Sequence, residues 1–475
     1  MSFTTVESRW PDVWLAATAR GTTICGDFLA ATALALALQG AGAGGLAVSG
    51  LLLAATLPLV VLAPLTGRLA DRVDSRTLLV TVGLAQALIC TLLAVADHPA
   101  LVVGLVALLA CGLAVTQPCL AALLPAMVRP ADLPRASAIS QNAVSLGALG
   151  GPVLAGLLVG QFGTRVPLLL DAATYLALVV AGLLLRTRRG GRQPATVSAG
   201  QAGQAGPAGP AGPEGPNSQA NPSGTDAGWR LRRDPLMLVM VASTAVVIAA
   251  VGGINVIEVF FIRETLHASA TTYGLVGAAW MAGMLPGSWL AARLARRLDD
   301  DAAFIRGVLA TLAVCSLLVM FAAAVPTAAL LVPLWLVAGA ANGGENVFAN
   351  LLTARRVPDA MRGRAYASYG AAVQGGSMAG YLMGGALLTA VPPRPLIAGA
   401  GAAGLLVVLA FVPVVARVVR RPSSGDADGR QRRAAGPDAG LATPGRPAEP
   451  EPEAGDTVGS WLSASHARGS GTSSS

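Results

Sequence analysis

Three carboxylic acids of this 475-residue chain, Asp27, Glu258 and Glu345, lie within long apolar stretches. A charge at the centre of a membrane helix costs at least about 2.5–3.5 kcal/mol, so such a residue usually serves a purpose. Asp27 has small and apolar neighbours apart from Arg20, and we expect it to carry a proton or contact a substrate, or else to form a static ion pair with Arg20. Glu258 is either an acid of an internal cavity or an interfacial residue that pairs with Arg263.

Glu345 belongs to a polar stripe. Asn342, Asn346 and Asn350 recur at every fourth position, which places them on one face of a helix beside Glu345. Such a face avoids lipid, so it is predicted to contact a substrate in a water-filled cavity or to form interhelical hydrogen bonds. Together with Arg20, the three asparagines are the candidate cavity residues. One further acid, Asp171, lies within a predicted span. Its place near the N-terminus of that helix explains it, because the helix dipole favours a negative charge there.

Several kinds of chemistry are absent from the sequence. All 33 basic residues are arginine, so the lysine-containing phosphate loop of nucleotide-binding proteins cannot occur. Neither Gly-x-Ser-x-Gly nor His-Glu-x-x-His is present. The five cysteines have no paired spacing and no nearby histidine, which argues against disulfides and metal sites. We therefore expect no enzyme activity, no cofactor and no metal, and a proton gradient as the energy source.

The composition requires a membrane. The chain is 54% hydrophobic and only 12% charged, whereas a soluble globule carries about 25% charged residues. Runs of 18 or more apolar residues recur, each long enough to cross a hydrocarbon core of about 30 Å. We predict an all-α integral membrane protein with twelve transmembrane helices. The spans lie at roughly 14–39, 46–66, 77–97, 100–125, 138–161, 167–185, 236–262, 272–292, 305–325, 328–352, 365–390 and 396–417.

The arginines predict the orientation. An even number of spans puts both termini on one side, and on the opposite side the loops hold only Arg165, Arg263 and Arg394. Most other arginines flank the spans on the side of the termini. The positive-inside rule therefore places both termini in the cytoplasm, and we expect a multi-pass protein of the plasma (inner) membrane. The same rule explains the net charge of +8 better than nucleic-acid binding does.

The two halves of the chain resemble each other. Arg68–Asp74 (RLADRVD) follows span two and matches Arg293–Asp299 (RLARRLD) after span eight; Gly147–Gly156 (GALGGPVLAG) in span five matches Gly376–Gly385 (GSMAGYLMGG) in span eleven. Repeats of this kind place a site near the membrane midplane, between the halves. The predicted domains are a cytoplasmic N-terminus (1–13), a six-helix bundle (14–189), a disordered Gly/Pro-rich linker (190–235), a second pseudo-symmetric six-helix bundle (236–418) and a disordered tail (419–475).

The segment Gly67–Arg76 (GRLADRVDSR) resembles motif A of the major facilitator superfamily in both pattern and position. The resemblance implies the major facilitator fold, transport by alternating access and no catalytic residues. It also implies that Gly67, Asp71, Arg72 and Arg76 form a gate that latches the cytoplasmic face in one state. The alternative is an ordinary solvated, positively charged loop.

Gly147, Gly151, Pro152 and Gly156 resemble motif C, the antiporter motif of proton-coupled exporters in that superfamily. Glycines and a proline at these positions predict a kinked helix with a smooth, closely packed face, and ordinary small-residue packing is the alternative. A finer resemblance, to the branch of macrolide exporters and the enterobactin exporter, rests on short segments. These are Leu124–Pro125, Gly151–Pro152, Asp171–Tyr175 (DAATY) and Val357–Arg364 (VPDAMRGR).

These resemblances imply a proton-coupled exporter of small organic molecules such as drugs, antibiotics or siderophores, acting as a monomer in the lipid bilayer and without a nucleic-acid partner. Two other functions remain open. One is a proton- or sodium-coupled importer of a nutrient. The other is a non-transporting membrane sensor or scaffold that uses the linker and tail as docking segments.

Overall fold

Each of the twelve predicted spans coincides with a helix. The computed structural model describes residues 8–187, 231–358 and 361–420, without the side chains of Pro64, residues 66–72 and Arg233. All regular structure in these residues is helical. The helices are α1 (Trp10–Gly40), α2 (Gly44–Arg72), α3 (Ser75–Leu93), α4 (Pro99–Met127), α5 (Leu133–Phe162), α6 (Arg165–Leu184), α7 (Pro235–Val251), α8 (Ile254–Phe260), α9 (Ala270–Ala295), α10 (Asp301–Ala322), α11 (Leu331–Arg356), α12 (Arg362–Leu387) and α13 (Pro393–Arg420).

The seventh span is interrupted. Helices α7 and α8 and the π-helical turn Phe261–Thr265 follow one another and together form it. By length and hydropathy, 11 segments of the described chain can cross a membrane. The span outside that set is α12, a helix of 26 residues that is rich in glycine and alanine and begins with Arg362. It packs against α7 and α2, as a membrane helix would.

Several helices extend beyond the predicted apolar spans. Helix α1 begins at Trp10, and α2 continues to Arg72, so most of the motif A segment is helical rather than a loop. Helix α13 continues to Arg420. A hydropathy pattern marks only the part of a helix that lies in hydrocarbon, whereas the hydrogen-bond ladder can continue into the polar interface. Of the predicted linker, only the short turn Leu231–Arg233 and Asp234–Pro235 are described; the rest of it, and the tail after Arg420, lie outside the described residues.

Side chains cap the N-termini of five described helices. His98 accepts a hydrogen bond from the Ala100 amide at the start of α4, and aspartate or serine caps the other four. Asp74 accepts a hydrogen bond from the Thr77 amide at the start of α3, and Asp234 accepts one from the Met237 amide in α7. Ser269 and Asp300 act in the same way for α9 and α10. Each cap satisfies an amide that has no partner within its helix, which fixes where the chain turns back into the membrane.

The two halves repeat one packing scheme. In the first half α1 packs on α5 and α6, α2 on α4, and α3 on α4 and α6. In the second half α7 packs on α12 and α13, α9 on α11, and α10 on α11 and α13. With α7 and α8 counted as one span, every pairing recurs six spans later. The internal repeat seen in the sequence is therefore also a repeat of the fold.

Glycines allow equivalent helices of the two halves to pack closely. A Cβ atom on Gly147 or Gly151 of α5 would collide with the α1 backbone at Gly21 or Cys25. In α12, Gly376 and Gly380 approach the α7 carbonyls of Ala245 and Ala249 in the same way. This is the smooth, closely packed face that the glycine spacing predicts.

The two halves meet at one end of the molecule. We call the end that carries the α5–α6 and α12–α13 connections the outer end, and the end at which the described chain begins and finishes the inner end. Within the described chain, the hydrogen bonds between the halves all lie at the outer end: Gln39 to Glu264, Ser49 to the Tyr381 carbonyl, and Thr271 to the Gly156 carbonyl. Farther inward on α12, a Cβ on Gly370 or Gly375 would meet open space. The cleft between the halves thus opens toward the inner end.

Polar contacts brace the inner end of each half separately. In the first half, Asp12 accepts hydrogen bonds from the amide (3.0 Å) and hydroxyl (2.7 Å) of Thr187. In the second half, Arg356 bridges Asp234 and Asp301, at 2.9 Å to each. These contacts hold helices together within a half, so each half can move as a unit.

Replacing Arg356 by Gln is expected to destabilise the second half. Asp234 and Asp301 would lose their shared cation, and Asp234 has only 9% of its side chain exposed. We expect the free energy of unfolding to fall by about 1–3 kcal/mol, measured as a lower melting temperature of the purified protein. Arg364→Gln, at an exposed position of α12, is the matched control and should melt like the unmodified protein. Equal melting temperatures for both variants would contradict the bridging role.

Candidate functional site

Asp27 pairs with a tyrosine rather than with an arginine. It lies half-buried on α1, and the Tyr175 hydroxyl of α6 donates a hydrogen bond of 2.5 Å to its Oδ1. The neighbouring Gly26 makes this pair possible, because a Cβ there would collide with Asp171 and Thr174 of α6. The carboxyl is therefore held by a neutral donor, at a point where two helices approach closely.

Asp171 is a functional candidate that the sequence reasoning missed. Its side chain is fully buried and accepts hydrogen bonds from the Cys90 thiol (3.2 Å) and the Thr174 hydroxyl (3.2 Å). These partners are side chains rather than the free amides of the α6 N-terminus, so the helix-dipole explanation does not account for its place. A signal was present, since Asp171, Thr174 and Tyr175 recur at helical spacing on one face of α6. We call Asp27, Cys90, Asp171 and Tyr175 the N-half acid cluster.

Arg20 does not form the static pair with Asp27 that the sequence left open. Its Nη1 donates to the Ser140 hydroxyl on α5 at 3.4 Å, and its buried Nε has no hydrogen-bond partner. The two residues are seven positions apart on α1, which separates their Cα atoms by about 10 Å along the helix axis. Arg20 is therefore a partly buried cation that contacts α5, and its predicted contact with a substrate stays a prediction.

Glu345 lies at the centre of the second half. It is 3% exposed and accepts hydrogen bonds from Tyr369 of α12 (2.8 Å) and Thr244 of α7 (3.3 Å). We call Thr244, Glu345 and Tyr369 the C-half acid cluster. As with Asp27 in the first half, the carboxyl of Glu345 accepts a hydrogen bond from a tyrosine, without a cation among the described contacts.

The predicted asparagine stripe separates from Glu345. Asn342, Asn346 and Asn350 are each partly exposed along α11, and the Asn346 amide donates to the Asn342 carbonyl at 2.9 Å. Glu345 instead points into the second half. The asparagines thus offer polar groups at an accessible surface, whereas the acid is enclosed, because adjacent faces of one helix meet different environments.

Glu258 is partly buried near the outer end and does not pair with Arg263. The Arg263 Nη1 donates to the Ala268 carbonyl at 2.7 Å and closes the turn after α8. Glu258 lies beside Trp335 of α11 and Tyr273 of α9, and its buried Oε1 has no hydrogen-bond partner. Of the two interpretations open from the sequence, the interfacial pair with Arg263 is not formed.

The carboxyl groups therefore form separate sites. The N-half cluster, the C-half cluster and Glu258 belong to different helix packings, and no group of three or more His, Cys, Asp or Glu side chains in the described chain could hold a metal ion. A family model described as "Major Facilitator Superfamily" matches residues 16–261 and 240–463, nearly the whole chain and both halves. The chain belongs to the major facilitator superfamily. It is thus a membrane-embedded member of a transporter family, built on the fold that the sequence predicts.

Several solved structures share the fold of this protein at low sequence identity. A bacterial homologue of the human lysosomal transporter Spinster, inward-facing and unoccupied, is 14% identical, with a TM-score of 0.61, 88% of this chain covered and 97% of that chain. The nucleoside transporter NupG is 13% identical, with a TM-score of 0.64 and coverages of 85% and 99%. A bacterial homologue of the iron transporter ferroportin, in an inward-facing state, is 16% identical, with a TM-score of 0.63 and coverages of 87% and 100%. No curated relative matches the sequence.

The segment that resembles motif C lies at the contact between the halves. Gly147 and Gly151 face α1, whereas Gly156 faces the backbone of Ala270, Thr271 and Gly274 on α9. The Pro152 carbonyl lies against Gly274. One stretch of α5 thus packs on α1 within the first half and on α9 of the second half at the closed outer end.

The segment that resembles motif A is described only in part. Gly67, Asp71 and Arg72 lie in the last turns of α2, but their side chains are outside the described residues. Arg76 is half-buried in the first turn of α3, where Asp74 caps the helix. The latch expected from the resemblance stays a prediction.

Proposed function

We propose that this protein is a proton-coupled exporter of small organic molecules such as drugs, antibiotics or siderophores, working by alternating access. The observation that carries the proposal is the pair of acid clusters. Each half holds a carboxyl, Asp27 or Glu345, that is hydrogen-bonded to a tyrosine rather than to an arginine. Such a group can change its charge without breaking an ion pair, which suits a site that gains and loses a proton in each cycle.

The energy for export would come from protons moving down their gradient. One proton that crosses a potential of 100 mV contributes about 2.3 kcal/mol. In our proposal Asp27 takes up a proton as substrate leaves on the outer side, and it releases the proton on the inner side before the next substrate binds. Glu345 and Glu258 are the other candidate proton sites, in the second half.

Alternating access would use the contacts between the halves. The cleft opens at the inner end, and the α5–α9 and α2–α12 contacts close the outer end. A rocking motion would exchange these contacts for a closed inner end, held by the motif A segment. Arg20 and the partly exposed face with Asn342, Asn346 and Asn350 are the proposed substrate contacts. We further propose that the inner end faces the cytoplasm of a plasma-membrane protein and that the monomer suffices.

Export rather than import is favoured by motif C. Gly147, Gly151 and Gly156 close-pack the outer half of α5 against α1 and α9, which leaves little room for water or protons to pass when the outer end is closed. A low proton leak matters for an exporter, because its cavity empties to the outside while the proton gradient points inward.

Glu345→Gln is expected to weaken the response to the proton gradient without unfolding the protein. Glutamine still accepts hydrogen bonds from Tyr369 and Thr244, but it cannot carry a proton. We expect the stimulation of transport by an imposed pH gradient to fall about tenfold in proteoliposomes. Asp299→Asn, an exposed acid of the same half, is the control and should respond normally. Full stimulation in Glu345→Gln would remove Glu345 from the proton path.

The direction of coupling tests the proposed function as a whole. A susceptibility panel of antibiotics, dyes and siderophores on an efflux-deficient host expressing the protein would first select a transported compound. Proteoliposomes with that compound and an imposed pH gradient would then show antiport, with compound and protons moving in opposite directions. Movement of both in the same direction would establish an importer, and no transport of any compound would favour a sensor or scaffold.

A further inference from the structure

An apolar groove lies on the outside of the second half. Helices α10 and α13 form its walls, and it has a volume of about 540 Å³. The extensive contacts of α10 and α13 are all with other elements of the second half, so the groove faces away from the cleft between the halves. Leu309, Ala313, Val408 and Val412 are among its lining residues. In a membrane this groove would face lipid rather than transported substrate.

The groove has a basic mouth. Arg306, near the start of α10, and Arg420, the last residue of α13, both line it at the inner end. The Arg306 Nε donates to the Ala302 carbonyl at 2.9 Å, and its Nη2 is 3.7 Å from Asp300 in a pair whose side chains are each 68% exposed. Arg420 is exposed and has no ion pair with a described residue. The mouth therefore keeps guanidinium donors available to an anion.

The groove has the dimensions of a lipid tail. At 1.5 Å per residue, it extends about 10 Å along α10 from Arg306 to Ala313 and about 18 Å along α13 from Arg420 to Val408. The arginines lie at the helix ends, where the lipid headgroups meet water, and the apolar walls extend from there toward the hydrocarbon core. Basic pockets between membrane helices on the cytoplasmic side are suited to anionic headgroups.

We propose that this groove is a binding site for an anionic phospholipid. Its phosphate would lie between Arg306 and Arg420, and an acyl chain would fill the trough along Leu309 and Val412. This assignment concerns the lipid-facing surface and is independent of what the cleft transports or in which direction.

Native mass spectrometry of the full-length protein can test the site. The protein would be delipidated and then mixed with equal amounts of phosphatidylglycerol and phosphatidylcholine. We expect it to retain phosphatidylglycerol preferentially, and the double variant Arg306→Gln with Arg420→Gln to lose about tenfold or more of that preference. Arg417→Gln, an exposed arginine of α13 outside the groove, should keep it.

A second variant tests the apolar trough without changing charge. Ala416→Trp, at an exposed position on the groove wall, should fill the space for the acyl chain and lower phosphatidylglycerol retention about as strongly as the charge variant. Equal retention of both lipids by the unmodified protein would overturn the proposal, as would unchanged retention in both variants. Displacement of the lipid by inorganic phosphate alone, or a protein dimer in place of bound lipid, would also overturn it.

Discussion

Replacing Asp27 by Asn is expected to abolish gradient-driven export while leaving the protein folded in the membrane. Asparagine matches aspartate in size and still accepts the hydrogen bond from Tyr175, so the packing between α1 and α6 should survive. It cannot exchange a proton, so transport would lose its link to the gradient. One proton that crosses a potential of 100 mV contributes about 2.3 kcal/mol, which corresponds to about a fiftyfold change in the substrate concentration ratio that transport can reach.

The measurement compares substrate accumulation in proteoliposomes with and without an imposed pH gradient. Asp97→Asn, an exposed acid between α3 and α4, is a matched control and should transport normally. Tyr175→Phe removes only the hydroxyl donor and should give an intermediate loss. If Asp27→Asn accumulates substrate as the unmodified protein does, Asp27 is not the proton carrier of this protein.

The same variant series can distinguish Asp27 from its buried neighbour. Asp171 is enclosed next to Cys90 and Thr174, without a described route to the cleft. If it only supports α3 and α6, Asp171→Asn should lower the melting temperature and leave the response to pH intact. A lost pH response at an unchanged melting temperature would instead make the two acids of the N-half cluster one shared proton site.

Adding a single methyl group at Gly156 is expected to shift the protein away from the closed outer end. In Gly156→Ala the new Cβ would lie 2.7 Å from the Ala270 carbonyl oxygen and 3.0 Å from the Thr271 Cα. Both are backbone atoms of α9, which cannot turn aside as a side chain can. Overpacking of this kind costs about 1–3 kcal/mol, so the population of the closed outer end should fall by about 5- to 150-fold relative to the open state.

Gly150→Ala is the matched control for Gly156→Ala. It lies on the same helix, but its Cβ would be 3.8 Å from the Cys25 Sγ, an ordinary van der Waals contact. Distances between spin labels at the outer ends of α5 and α9 should lengthen in Gly156→Ala and stay unchanged in Gly150→Ala, and transport should slow only in the first. Unchanged distances in Gly156→Ala would show that the α5–α9 contact does not control the outer end.

The fold could be predicted from the sequence because lipid permits few alternatives. Apolar runs of this length must form helices, since unpaired backbone groups are too costly in hydrocarbon. The repeat of Gly147 and Gly151 at Gly376 and Gly380 indicated that the halves are related, and both pairs pack on the equivalent helix. The exact helix ends could not be predicted, because they depend on caps and interfacial turns rather than on hydropathy.

The site was harder to predict because one sequence does not show which helices face each other. Hydropathy singled out Asp27 and Glu345 as unusual, but not Tyr175 and Tyr369 as their partners. The sequence left open an ion pair between Arg20 and Asp27, which are both on α1, yet Arg20 bonds to Ser140 on α5. Partners on other helices are set by the packing of the bundle, which a single helix does not encode.

By itself, the sequence determined the membrane fold, the two related halves and the positions at which charge enters the bilayer, because the cost of polar groups in lipid acts on each segment separately. Only the tertiary structure decided that Asp27 and Glu345 bond to tyrosines rather than arginines, that Asp171 belongs with Asp27, and that the halves close at the outer end. Those features depend on close contacts between helices that are distant in the chain, such as Gly26 against α6 and Gly156 against α9. Such packing emerges only when the whole bundle is assembled.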